Sequence, residues 1–315
     1  MNAKRIAIIG AGMAGLVCAD RLRALGAAVT VFEKSGDIGG RLASRRRQGA
    51  SWNHGAPAVH AREAAFAEFL RELISGGSAR ALADRDGEAF VGQPDMWEML
   101  RPLAKRLDIH CSMRVERLCR SGSGWRLALA GGPAAPGPFD VVLATQPAPQ
   151  IAQLLGDSRL GVPAGLDRVT MLPCWTLLLG FAEAVDCLGE VSAGTVFEQA
   201  MRQGPAGGST LPDRWVLQTA QPWTDVNLEL DKHAAERELM DALRALVGDL
   251  PPVVYRAAHR WRYALVQKAL GISHLWLPEL GLGCAGDWCL GGDAESAFLS
   301  GSALARAVSA LEPAA

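Results

Sequence analysis

The chain has 315 residues, 49% of them hydrophobic, and its 32 basic and 33 acidic side chains leave a net charge of −1. A chain this long can bury more core than one typical domain holds, so two interleaved domains are expected. The even charge balance argues against nucleic acid or an anionic membrane surface as partner; the one basic cluster, Arg45-Arg46-Arg47, reads as a solvated loop that can also assist a phosphorylated substrate.

The first element is an apolar run of buried-strand type, Arg5-Ile6-Ala7-Ile8-Ile9, which breaks into Gly10-Ala11-Gly12-Met13-Ala14-Gly15. This G-x-G-x-x-G loop opens a helical pattern with Leu16, Ala19, Leu22 and Leu25 in phase and Gly26 as its stop. Gly10 permits the tight turn, Gly12 lets the backbone approach a pyrophosphate, and Gly15 lets the helix pack closely on the strand. Met13 and Ala14 begin the helix whose free N–H groups favour an anion. A second apolar run, Val29-Thr30-Val31-Phe32, ends in Glu33, eighteen residues past Gly15, followed by Lys34. A carboxylate there accepts hydrogen bonds from ribose hydroxyls and repels the extra phosphate of an NADP-type ribose. Together these features predict a dinucleotide cradle.

Next comes Gly36-Asp37-Ile38-Gly39-Gly40-Arg41, which resembles the glycine doublet plus arginine of the amine-oxidase-like flavoproteins. The resemblance implies FAD, with Gly40 running against the dinucleotide and Arg41 offering a guanidinium to phosphate or flavin. Ser51-Trp52-Asn53-His54-Gly55-Ala56 is a small, polar segment expected near the flavin through His54, Gly55 and Ala56. A helix is expected over about 62–74, with Ala65, Phe66, Phe69, Leu70 and Leu73 as its stripe. Another starts after Pro94-Asp95, capped by Asp95 or a neighbour, with Met96, Leu100, Leu103 and Leu107 inward. Strand material at 109–111, a hairpin turning at 121–124, a loop at 131–138 and a buried strand at 139–145 complete this half. In flavoproteins of this class such an arrangement carries the backbone of Val115 to the adenine; an ordinary core valine is the alternative.

From Pro147 the pattern changes to longer β-type runs rich in large aromatics. The strongest are 174–179, 214–219 and 253–263, interrupted by a flexible loop at 204–209 and by a helix over about 234–247. On the 253–263 run, alternation sends His259, Trp261 and Tyr263 to one face and Arg260 and Arg262 to the other. The aromatic face can wall a flat substrate while an arginine pairs with phosphate; an aromatic core face with solvated arginines is the competing reading. Trp175, Trp288, His54 and Arg262 join these residues as pocket candidates, and no catalytic residue stands out. The chain ends with a strand running into Gly286-Asp287 and a helix from about 293 to 311, whose Ala297, Gly301 and Ala305 form a face for close packing. A strand, a Gly-Asp pair and a helix form an arrangement in which Asp287 can bind a ribitol hydroxyl and the helix start with Ser296 and Ala297 can support charge at the flavin pyrimidine; a helix-initiating turn is the alternative.

With both ends in view, the chain resembles the renalase-like FAD oxidoreductases, a branch of the amine-oxidase-like flavoproteins. Ile9 to Gly15, Gly39-Gly40-Arg41, Pro173-Cys174-Trp175, His259-Arg260-Trp261-Arg262-Tyr263-Ala264 and Gly286-Asp287-Trp288-Cys289-Leu290-Gly291 carry the resemblance. It implies an α/β fold of p-hydroxybenzoate-hydroxylase-like architecture: a Rossmann-type FAD domain (1–60, 95–150, 275–315) and an inserted mixed sheet plus helix forming a substrate domain (61–94, 151–274). It further implies non-covalent FAD and oxidation of 2- or 6-dihydro isomers of NAD(P)H, with molecular oxygen reoxidising the flavin to give hydrogen peroxide. Two departures bear on substrate. Asn53-His54-Gly55-Ala56-Pro57-Ala58-Val59 lacks the aromatics of its relatives, and Asp293 and Glu295 add acids beside the expected cofactor helix. A flavin amine oxidase or desaturase of another small molecule, and a non-catalytic dinucleotide sensor, are the alternatives.

Seven cysteines, an odd number without a C-x-x-C pair, suggest reduced thiols in the cytoplasm. No signal-peptide pattern opens the chain, and its longest later apolar stretch, 171–182, contains Pro173 and is too short for a bilayer.

Overall fold

The computed structural model describes residues 3–47, 49–84, 87–122, 124–132, 137–191, 196–203 and 211–310. The loop positions expected at 123, 133–136 and 204–209, and the helix end at 311, lie outside them. β1 (Arg5–Ile9) leads into α1 (Met13–Ala24) and β2 (Ala28–Phe32). Then come β3 (Ser44–Arg47), β4 (Ala50–Asn53), β5 (Val59–His60), α2 (Ala64–Ser75), β6 (Ala79–Asp84) and β7 (Gly87–Gly92). α3 (Arg101–Ala104), β8 (Asp108–His110), β9 (Val115–Ser121), β10 (Gly124–Leu129), β11 (Val141–Ala144) and α4 (Ala148–Asp157) follow. The second half holds β12 (Thr170–Phe181), β13 (Phe197–Arg202), β14 (Asp213–Thr219), α5 (Gln221–Asn227), α6 (Lys232–Val247) and β15 (Val253–Lys268). β16 (Leu275–Leu277), β17 (Leu282–Cys284) and α7 (Ala294–Ser309) return to the first sheet.

That sheet has the order β16-β17-β11-β1-β2-β8 and is parallel except at β16. Alternation along β1 sorts its two faces. Ile6 and Ile8 join a core with Leu16, Leu304 and Ala305 of α1 and α7, while Ala7 and Ile9 join one with Leu127, Ile151 and Trp288. The 61–94 segment, expected beside the substrate sheet, packs elsewhere: Phe66, Leu70, Leu73, Phe90 and Val91 share the core of α1 and α7. Its apolar helix stripe has that surface to cover. The expected helix after Asp95 is a 3₁₀ turn, Met96–Met99, followed by the short α3. Asp95 does not cap it, because both its carboxylate oxygens are taken by Arg46 at 3.0 Å.

The second sheet, β13-β14-β12-β15, is antiparallel throughout where a mixed one was expected. β13 and α5 were not foreseen; the polar Gln199 and Arg202 hide the first, and Pro222 interrupts the pattern of the second. One face of this sheet (Trp175, Leu177, Leu179, Trp215, Leu217) packs on Leu239, Met240 and Leu243 of α6. The other (Leu178, Val216, Tyr255, Ala257) packs on Ala50 and Trp52 of β4, with Trp52 stacked on Tyr255 at 4.3 Å. β4 therefore joins the cradle half to the second sheet. Among the described residues no helix is long and apolar enough to cross a membrane.

Candidate active site

The cradle is built where backbone meets backbone. Gly10 has φ +111°, and the Thr145 hydroxyl donates to the carbonyls of Ile9 and Gly10 at 3.0 and 3.1 Å, closing the turn. A Cβ at Gly15 would stand 2.1 Å from the Gly10 oxygen, so only glycine lets α1 start there. The doublet is tied to the loop through Gly39 N–H donating to Ala11 O at 2.9 Å, and a Cβ on Gly40 would meet the Gly12 Cα at 3.4 Å. Glu33 is buried and accepts from the N–H groups of Ala11 (2.9 Å) and Ser35 (2.8 Å). Lys34 turns toward α4, donating to Gln150 at 3.2 Å. Val115 starts β9 just beyond Met113, whose N–H donates to Glu33 O at 2.8 Å, so its backbone runs beside the strand end that carries Glu33.

The chain ends meet at Arg41 and Asp287. Their side chains form a two-pronged pair at 2.7 and 2.5 Å, and Arg41 also donates to Ala264 O of β15 at 3.2 Å. Asp287 is 3% exposed. Beneath it the Trp288 indole packs so closely that a Cβ on Gly286 would lie 2.3 Å from Nε1, which donates to Gln146 O at 3.1 Å. Ser296 and Ala297 occupy the first turn of α7, where Asp293 accepts from Ser296 N–H at 2.8 Å. A Cβ on Gly301 would reach within 2.2 Å of Ala14 O, so the expected small-residue face holds α7 against α1.

Facing this junction is a ring cluster. His54 lies 4.6 Å from His259 and 5.1 Å from Trp261, and His259 lies 4.5 Å from Trp261, centroid to centroid. The segment is fastened in place by Trp261 Nε1 donating to His54 O and Gln218 Nε2 donating to Gly55 O, both at 2.8 Å. A Cβ on Gly55 would lie 2.0 Å from Arg41 O, which accepts from Ala56 N–H at 2.8 Å; the ring cluster thus abuts the glycine doublet. Burial first, then the charge of Arg45, lowers His54 to about 4, against the pull of the Trp52 and Ala43 carbonyls. Burial, then His54, then Arg45 lowers His259 to about 3. Both rings are neutral at ordinary pH, and the Nδ1 atom of each is buried without a hydrogen-bond partner.

Other pocket candidates lie elsewhere. Trp175 is fully buried on the α6 side of the sheet, its Nε1 donating to Asn227 O at 3.1 Å. Trp288 is equally buried, in the core under β11. Arg262 faces away and is held by Glu229 at 2.7 and 2.6 Å, so it does not offer the phosphate contact expected of it. Tyr263 sits where the register shifts opposite Pro173, which has no N–H to keep the ladder, and it makes no ring contact with the cluster among the described residues. Gln218 was missed; its signal was a polar residue in the run Trp215-Val216-Leu217-Gln218. The added acids are structural. Glu295 is buried and accepts from the N–H groups of Arg62 (2.7 Å) and Glu63 (2.8 Å) where α2 starts, and it pairs with the Arg62 side chain at 3.1 Å.

A parallel nucleotide-binding sheet joined to an antiparallel second sheet, with a glycine doublet, a Gly-Asp turn and an aromatic cluster at the junction, defines a flavoprotein oxidoreductase. The sequence agrees: residues 8–73 match the NAD(P)-binding Rossmann-like domain and residues 77–309 match flavin containing amine oxidoreductase. The chain belongs to the flavin-containing amine oxidoreductase family, and FAD binding follows from that membership. Renalase of Mus musculus is 22% identical over 84% of this chain and 86% of its own length. Protoporphyrinogen oxidase 2 of Arabidopsis thaliana is 38% identical, but the match spans 23% of this chain and 14% of that protein. In fold, a candidate protoporphyrinogen oxidase from Exiguobacterium sp. 255-15 superposes with TM-score 0.77 over 99% of this chain and all of its own, at 14% identity. A redesigned putrescine oxidase superposes at 0.71 over 98% and 99%, at 11% identity.

Proposed function

We propose that this chain oxidises 2- or 6-dihydro isomers of NAD(P)H, using non-covalent FAD and molecular oxygen and releasing hydrogen peroxide. The observation that carries the reading is the ring cluster itself: two neutral imidazoles and an indole against the glycine doublet. The likeness to renalase along most of both chains supports it.

The residues present fit FAD. Gly10, Gly12, Met13, Ala14 and Gly15 form the opening for a pyrophosphate, Glu33 stands at the ribose position, and Val115 lies toward the adenine end, with Lys34 at its margin. Gly40, Arg41, Gly55, Ala56, Gly286, Asp287, Ser296 and Ala297 line the junction where a flavin ring would rest, and the partnerless Nδ1 atoms of His54 and His259 supply polar groups beside it. When bound, FAD supplies a two-electron acceptor that oxygen can regenerate. A dihydropyridine becomes aromatic on losing hydride, so this chain need only bind, orient and shield the ring, and no side chain has to remove a proton. Trp261 is fixed by its bond to the His54 carbonyl and offers a flat wall. Non-covalent binding is favoured because burial pushes the Cys289 thiol, like that of Cys284, up to about 12, leaving neither as a nucleophile.

Anaerobic mixing of the FAD-loaded protein with each isomer tests the proposal. Flavin bleaching with at least one isomer is expected, and none with either rejects it. Oxidation of an amine is the second reading, favoured by the putrescine oxidase fold and by Ala58-Val59, which stand where the family resemblance implies an aromatic pair. Bleaching by amines alone would select it.

A further inference from the structure

The arginines around the site divide sharply by partnership. Arg41 is held by Asp287, and Arg46 by Asp95 and Glu98 while stacked on Trp97 at 4.3 Å. Arg260 and Arg262 are held by Glu229 beyond the far face of the second sheet, and Arg214 donates to Ser51 O. Arg45 differs from all of these. It is half-buried on β3, directly across the ladder from Trp52, two residues before His54. Among the described residues its side chain makes no hydrogen bond, ion pair or ring contact, although its charge acts on both His54 and His259. No carboxylate appears among the groups acting on either ring.

A half-buried guanidinium without a counter-ion loses hydration with nothing in return, and its five donors in a planar fork match the oxygens of a carboxylate or a phosphate; of these, the dinucleotide substrate read above carries phosphate. β3 and β4 are joined in register, and β4 is bolted to the second sheet through Trp52 Nε1 donating to Leu179 O at 2.8 Å. The backbone that carries the charge is therefore held at a set place beside the segment that carries His54.

We infer that Arg45 is the specificity-determining cation of the site, receiving a phosphate of a flat substrate whose ring lies against His54, His259 and Trp261. The inference rests on the oxidase reading above and assigns to Arg45 the role that the strand pattern had suggested for Arg262. It also sets a direction of selectivity: the site favours phosphate-bearing substrates and disfavours ammonium ions, which would meet a cation and no carboxylate.

The test compares the FAD-loaded wild type with R45Q and R45K in anaerobic flavin reduction by a 6-dihydro dinucleotide and by the phosphate-free 6-dihydronicotinamide riboside. The preference of the wild type for the dinucleotide should fall about tenfold or more in R45Q and recover in part in R45K. An equal loss with both substrates, or an unchanged preference, overturns the inference. So does release of FAD from R45Q with the preference intact, which would assign Arg45 to the cofactor. A titration with inorganic pyrophosphate, followed by the flavin absorption spectrum, needs no turnover. A wild-type response that R45Q lacks supports the anion site even if neither isomer bleaches the flavin and the oxidase reading fails. Equal responses, or none, overturn it independently.

Discussion

The cradle and the ring cluster lie side by side but are held by different kinds of contact. In the cradle, backbone presses on backbone: added Cβ atoms at Gly15 and Gly301 would lie 2.1 and 2.2 Å from carbonyl oxygens. In the cluster, side chains from β14 and β15 reach carbonyls of a segment more than 150 positions earlier, as Gln218 does to Gly55 and Trp261 to His54. The first kind tolerates one residue type and leaves a spaced glycine pattern. The second depends on strand register, and many side chains could satisfy it. Substitutions in the cradle should therefore be all-or-none, and those in the cluster graded.

The largest effect is expected from G15A. Its methyl would overlap the Gly10 oxygen and stand 2.6 Å from the Thr145 hydroxyl, so α1 must move away from the loop. A loss of about 3 kcal/mol or more in stability and of bound flavin is expected; thermal melting and flavin retention on desalting report both. Wild-type retention would show the cradle to be more pliable than the contrast allows.

D287A comes next, because it leaves the partly exposed Arg41 without its counter-ion at the point where both regions meet. Exposure of Arg41 reduces the penalty below that of a wholly buried pair, to about 2 kcal/mol. FAD affinity should drop about tenfold or more, read by fluorescence titration, with D287N intermediate.

These two substitutions also mark how far the sequence could be read. The turn at Gly10, the helix start at Gly15 and the glycine doublet were legible because they lie within a few dozen residues of one another. The pairing of Arg41 with Asp287, 246 positions apart, was not, since only the closing of the sheet by β17 brings them together. Alternation correctly placed His259 and Trp261 on one face of β15 and Arg260 and Arg262 on the other. It could not tell which face fronts the junction for Trp175, whose side of the sheet is covered by α6, nor that Glu229 would occupy both arginines.

The third prediction concerns pH and belongs to the ring cluster. Both histidines have folded pKa values below the ordinary 6.5, about 4 for His54 and about 3 for His259. The unfolded chain then binds protons that the folded chain refuses. The stability tied to these rings is complete above about pH 6.5 and is lost as pH falls from there toward 4 and then 3. Between pH 7.5 and 5.5 each ring should cost about 1 kcal/mol. Urea midpoints at the two pH values measure it, and H259Q should shallow the slope by the share of one ring. A slope unchanged by H259Q would mean that His259 is not shielded from water as its contacts imply.

The smallest effect is expected at Glu295, and it sharpens the boundary between the two regions. This acid stands at the start of α7, the helix proposed above to line the flavin site, so position alone suggests influence on the flavin. Its oxygens point the other way, onto the Arg62 and Glu63 N–H groups that precede α2 and onto the Arg62 side chain. E295Q keeps an oxygen for the backbone donors and loses only an ion pair to a largely exposed arginine. The expected cost is under about 1 kcal/mol, a shift of a few degrees at most in melting temperature. The flavin spectrum and the FAD dissociation constant should match the wild type. A spectral shift would mean that the charge of Glu295 reaches the flavin, and the acids of the 293–295 turn would then belong to the site rather than to the seam between α7 and α2.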